Sequence, residues 1–155
     1  MLFRSTFKRL LSSSVPNYLR ALATRDFERR ERLVLGMITN DAEHLEELVQ
    51  QSVALAPSCP LPFAATTKQL LAASLWRAPE ALEVPTLFLG TKGDRMVDPS
   101  CTLRLAAHFQ APVALHPWAG HEIPLDDPDW VAAKVRDWLA GGSPGAAESA
   151  VRDKT

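Results

Sequence analysis

Apolar positions in the first half of the chain recur at helical spacing. Leu45, Leu48, Val49 and Val53 fall on one face at a period of about 3.6 residues, which predicts a helix over about residues 41–54. Asn40 stands in its N-cap position, and Glu43, three residues on, completes a capping-box-like arrangement. A second helix is predicted upstream, where Phe27, Val34, Met37 and Ile38 share one side and the charged residues of "RDFERRER" turn away. A third is expected over about residues 63–76, with Thr67, Leu70, Leu71, Ser74 and Leu75 inward, between the breakers Pro60, Pro62 and Pro79. Pro16 divides the start into two short helices. Gly36 is the only glycine before Gly90, so the first half reads as a helical layer with proline-marked corners and no strand.

The pattern changes near residue 80. "PTLFL", residues 85–89, is a short apolar run between proline and glycine, the mark of a strand buried on both faces. Asp98 followed by Pro99 is an N-cap with proline at the first helical position, and Cys101, Leu105 and Phe109 carry the apolar stripe of a helix to about residue 110. "APVALH", residues 111–116, is a second strand. Asp127 and Pro128 repeat the cap and open a helix in which Val131, Val135 and Trp138 face inward until Gly141 ends it. Strand, helix, strand, helix predicts an α/β fold with one right-handed parallel crossover and a closing helix. The organisation expected is a helical region over 1–80, an α/β segment over 81–140 and a disordered tail over 141–155.

Composition narrows the class. Among 155 residues there are 17 basic and 18 acidic side chains, a net charge of -1 that gives no footprint for nucleic acid. No apolar run reaches the roughly 18 to 20 residues that span a bilayer. Cys59 and Cys101 lack CxxC or His-linked spacing and fit packing thiols in a reducing, cytoplasmic setting. Arg4, Lys8, Arg9, Arg20 and Arg25, with no acid among residues 1–25, leave an organellar leader open as the alternative. No cofactor and no metal is expected from these residues.

The candidate chemistry lies in two loops. Asp94 follows the first predicted strand and His121 the second, so adjacent parallel strands would present both from one edge of the sheet. A carboxylate there can accept the ring N–H of a histidine, fix its tautomer and stabilise the imidazolium formed in proton transfer. Gly120 is expected to turn the backbone tightly and aim the imidazole. The other candidates have plainer roles. Asp98 and Asp127 read as helix caps, Asp126 and Asp129 as first-turn charges, and His44 and His108 as surface residues on helices. His116 fits either a hydrogen-bonded core or a site, and Trp118 either an anchor or a shield. Ser100 and Cys101 show no setting for an activated nucleophile.

"VPTLFLGTKGDRMVDP" followed by "HPWAGHEIPLDDPDW" resembles the end of an α/β-hydrolase-superfamily protein, near its serine-aminopeptidase-like and monoacylglycerol-lipase-like branch. The resemblance spans about residues 30–140 and is strongest over 84–139. It implies a carboxyl-terminal hydrolase fragment: the helical region as a cap, Asp94 as the triad acid and His121 as the base, in the family order of Ser, Asp, His. The substrate implied is a small ester or amide. The chain is read as lacking the nucleophile elbow, a G-x-S-x-G on a strand-to-helix turn, because Ser12, Ser13 and Ser14 in "LLSSSVP" have no flanking glycine. The oxyanion hole and strands one to six are also without counterparts, so the chain alone is expected to be inactive. The competing reading is a non-catalytic truncated hydrolase, a binding module that associates through an exposed sheet edge.

Overall fold

A computed structural model of the chain describes residues 15–58, 68–69, 71–72 and 75–142. Helix α1 runs Val15–Ala23 and takes Pro16 into its first turn, where a missing N–H costs no helical bond. Helix α2, Phe27–Ile38, is capped by Asp26, whose side chain accepts the Arg29 N–H at 3.0 Å. Helix α3, Leu45–Leu55, begins later than its hydrophobic period suggests. The correction is physical: Asn40 does not cap α3, and Glu43 closes no box. The Asp41 carboxylate instead accepts the N–H groups of Glu43 and His44, each at 3.1 Å, and holds a turn ahead of the helix. Ala21, Met37 and Val49 form the buried centre of these three helices. Arg32 bonds Glu28 within α2 and Glu46 on α3, and Ser52 donates to Glu31, so polar contacts support the apolar seam. The third predicted helix lies mostly outside the described residues, as do the predicted tail from residue 143 and the first 14 residues.

Strand β1 is Phe88–Thr91 and strand β2 is Val113–His116, paired in parallel with Phe88 opposite Val113 and Thr91 opposite His116. Between them runs α4, Ser100–Phe109, which ends where Gln110 adopts a left-handed conformation at φ 51°. That turn explains why β1 begins three residues later than its apolar run. The ladder opens with Phe88 N–H donating to Pro112, and upstream of Pro112 the chain is already leaving α4. Burial also falls differently from the expected two-faced strand, with Gly90 and Thr91 buried and Phe88 and Leu89 only partly so. After β2 come the single turn α5, Ile123–Asp126, and the closing helix α6, Pro128–Leu139. Asp127 caps α6 by accepting the Trp130 N–H at 2.9 Å, and Gly141 follows it at φ 80°. On α6 the structure corrects the inward set: Val135 is 36% exposed, whereas Lys134 is 8% exposed with its ammonium 5.7 Å from the Trp130 ring. The aliphatic stem of Lys134 covers apolar surface while its charge rests on an aromatic face.

The described residues therefore combine six helices with a two-stranded parallel sheet. None of these helices is long and apolar enough to cross a membrane. Two glycines predict opposite responses to an added methyl. In α2, a Cβ on Gly36 meets only Leu45 Cδ2 at an ordinary 3.8 Å, so Gly36→Ala is expected to stabilise by about 0.5–1 kcal/mol through reduced backbone entropy. At Gly93 a Cβ would stand 2.2 Å from the Trp118 carbonyl oxygen, so Gly93→Ala is expected to destabilise by about 1–3 kcal/mol. Urea midpoints of the two variants check the pair of signs.

Candidate active site

The parallel register places the loops after β1 and β2 side by side at the carboxyl end of the sheet. In the first loop, Asp94 folds its own backbone: Oδ1 accepts the N–H groups of Met96 at 2.8 Å and Val97 at 2.9 Å. This Asx-type turn uses one carboxylate oxygen and leaves Oδ2 free to face across the sheet. Gly93 upstream lets the loop lie directly on the carbonyls of Trp118 and Ala119. The Thr91 hydroxyl donates to the Ala119 carbonyl and accepts the Gly93 N–H at 3.1 Å, a second tie between the loops.

The second loop rests on a buried histidine. His116, 1% exposed, receives the Ala119 N–H on Nδ1 at 2.8 Å and contacts Asp127 Oδ2 through Nε2 at 3.1 Å. A ring nitrogen that accepts a backbone N–H carries no proton, so His116 is the neutral tautomer with its proton on Nε2. Trp118 and Trp130 pack edge-on against it at 5.0 and 4.8 Å. His116 is thus a core scaffold, and Trp118, 50% exposed, anchors the loop by its edge.

Gly120 differs from expectation. Its backbone is not left-handed; its need is space, because a Cβ would lie 2.5 Å from the Ile38 carbonyl oxygen and 2.9 Å from the Asn40 nitrogen. The segment between α2 and α3 presses there on the histidine loop. Asp126 fastens the contact: its carboxylate accepts the Thr39 hydroxyl, the Asn40 N–H at 2.9 Å and the Gly120 N–H. Asp126, a first-turn charge of α5, is therefore also a tertiary clasp. Glu122 N–H adds a bond to the Ile38 carbonyl at 3.0 Å.

These supports bring the two predicted residues together, with His121 Nδ1 at 2.8 Å from Asp94 Oδ2. The carboxylate can only accept, so Nδ1 carries the shared proton and Nε2 holds the lone pair. Among the described residues no group hydrogen-bonds that Nε2. His121 is 34% exposed and Asp94 11%, so the ring meets solvent while the acid is covered. For Asp94, burial pushes the carboxyl pKa upward most strongly, yet the bonds from His121, Val97 and Met96 together outweigh it and hold it below the ordinary value. The Asp94 hydrogen bond raises the His121 pKa against burial, with the charges of Asp94 and Glu122 adding to it.

The remaining candidates settle into structural roles. Asp98 accepts the Ser100 N–H at 2.8 Å at the start of α4, and Cys101 is buried. Ser100 bonds Arg104, His108 contacts the Pro79 carbonyl, and exposed His44 pairs with Asp41. A groove of about 410 Å³ lined by Leu82, Val84, Phe109, Pro112 and Trp138 lies at the amino ends of the strands, away from His121. The letters G-x-S-x-G do occur once, as "GGSPG" at residues 141–145, which corrects the reading that the motif is missing. Ser143 there follows the closing helix instead of a strand and comes after His121 in the chain, so neither the setting nor the order of an elbow is met. It lies outside the described residues. Sequence reasoning misplaced Asn40 and Glu43 at the start of α3 and Val135 on the inner face of α6, and it missed the long-range bonds of Asn40 and Asp126. No group of three or more potential metal ligands occurs among the described residues. No protein-family model, curated protein or solved structure matches the chain.

The pair has a signed pH dependence. A raised His121 pKa contributes stability that is complete below the ordinary histidine value near 6.5 and is lost as pH rises through the higher folded value. A lowered Asp94 pKa contributes stability that is complete above about 3.9 and is lost as pH falls through the lower folded value. The contribution of the pair is therefore expected to peak between about pH 4 and 6.5. Proton NMR of the His121 ring is expected to show a midpoint above 6.5 that drops in Asp94→Asn. An unchanged midpoint in the variant would refute the coupling.

Proposed function

We propose that the chain supplies the acid and base of a serine-hydrolase triad of the α/β-hydrolase type, acting on an ester or amide, with the first three helices as its cap. The observation that carries the reading is the 2.8 Å Asp94–His121 contact at the carboxyl ends of consecutive parallel strands, acid first and base second. The orientation supports it too, since Nδ1 is committed to the carboxylate and no group among the described residues engages Nε2.

In this reading His121 Nε2 takes the proton of a serine hydroxyl contributed by another segment of polypeptide as its oxygen bonds the acyl carbon. Asp94 keeps the ring oriented and stabilises the imidazolium, whose proton then goes to the leaving alkoxide or amine as the acyl bond breaks. Water repeats the cycle on the acyl-enzyme and releases the acid. The raised His121 pKa places the neutral, competent base above the ordinary histidine range, so rates should climb into mildly alkaline pH.

Fluorophosphonate labelling of the source material, followed by immunoblot against this sequence, tests the assignment. A labelled band well above 17.0 kDa is the expected result, and an unlabelled band at that mass would retire the catalytic reading. The chain by itself is expected to show no His121-dependent ester hydrolysis, because loss of a triad nucleophile costs about a million-fold.

The two-stranded sheet favours a second reading, a binding module recruited by strand addition, since a parallel pair leaves N–H and C=O groups directed outward on both edges. Sheets this small are marginal alone. Sedimentation should then show self-association, and a monodisperse monomer that unfolds cooperatively would remove this support.

A further inference from the structure

We infer that Asn40, which belongs to the connection between α2 and α3 and not to the strand–helix–strand unit, is a positioning residue that sets the spacing of Asp94 and His121. Its side-chain amide has two N–H groups and spends one on each loop. Nδ2 donates to the Gly93 carbonyl at 2.9 Å, one residue before the acid, and to the Trp118 carbonyl at 2.7 Å, three before the base. A single planar group thus holds both loop backbones at fixed separation.

The amide is itself held from behind. Asn40 N–H is bound by Asp126, which also binds Gly120 beside His121. The Arg95 guanidinium, next to Asp94, donates to the Gly36 carbonyl at 2.9 Å and the Thr39 carbonyl at 2.6 Å at the end of α2. Residues 36–40 are therefore tied to the first loop through Arg95, to both loops through the Asn40 amide, and to α5 through Asp126. Alanine at position 40 would leave two loop carbonyls without their donor and let the loops separate. Hydrogen bonds weaken steeply beyond normal length, and a misplacement of about 1 Å at an acid–base pair costs on the order of a hundredfold in rate. The inference rests on the proposed role of Asp94 and His121.

The test is a ring NMR titration of His121 in the full chain for wild type, Asn40→Ala and Asp94→Asn, with Asp26→Ala as a control that loses a remote helix cap. Asn40→Ala is expected to lower the His121 midpoint toward that of Asp94→Asn by about 0.5 in pH, a threefold weaker preference for the imidazolium. Asp26→Ala is expected to leave it unmoved. A high wild-type midpoint that Asn40→Ala does not change overturns the positioning role alone, as does an equal shift in Asp26→Ala. A wild-type midpoint already equal to that of Asp94→Asn overturns the pair and the proposed function together. Should Asn40→Ala fail to fold by circular dichroism, the wild-type Asn40 side-chain amide decides: protected protons whose shifts follow the His121 titration support the role, and exchange at the rate of an exposed amide overturns it.

Discussion

The carboxylate of Asp126 joins the two parts of the molecule. Its oxygens collect a hydroxyl and a backbone N–H from residues 39 and 40 and another backbone N–H from residue 120. Bonds to a charged acceptor contribute roughly 1.5–3 kcal/mol each, more than neutral ones, and a carboxylate has lone pairs enough for all three. Beside that anchor, the close contact of Gly120 with Ile38 and Asn40 is kept by the Glu122 bond to Ile38 and by the Asn40 amide on the Gly93 and Trp118 carbonyls. With these bonds, the helical layer becomes a wall of the loop that carries His121.

Two histidines in this region meet opposite environments, and the contrast explains their roles. His116 is enclosed by tryptophan edges and has both ring nitrogens engaged, one as acceptor from Ala119 and one toward Asp127. Protonating Nδ1 there would set an N–H against an N–H, so the ring serves as a neutral strut. His121 has one nitrogen engaged and an exposed face. Only the second arrangement leaves a lone pair available for proton transfer.

Local sequence carried the parts of this structure that depend on neighbours in the chain. The strand–helix–strand–helix order, the Asp127 cap with its proline, the glycine after α6 and the convergence of Asp94 with His121 all follow from turn chemistry, periodicity and the geometry of parallel strands. What stayed hidden depends on partners far away. Asp126 bonds residues 86 and 87 positions upstream, and Asn40 bonds loops 53 and 78 positions downstream. Both side chains fit an ordinary local role at a helix end, so nothing nearby distinguished them. Lys134 was missed for a related reason: its burial depends on Trp130 and the surface beneath α6, which no period reveals.

The Asn40 clasp also carries a consequence for the order in which the chain acquires its shape. The strand–helix–strand segment closes a short span and can form early, whereas residue 40 meets residues 93 and 118 only after much longer loops close. If Asn40 sets their spacing, the acid and base reach their final separation when the distant halves dock and not when the strands pair. In the proposed role of Asn40, breathing of that docked seam would loosen Asp94 from His121 while the sheet is still intact.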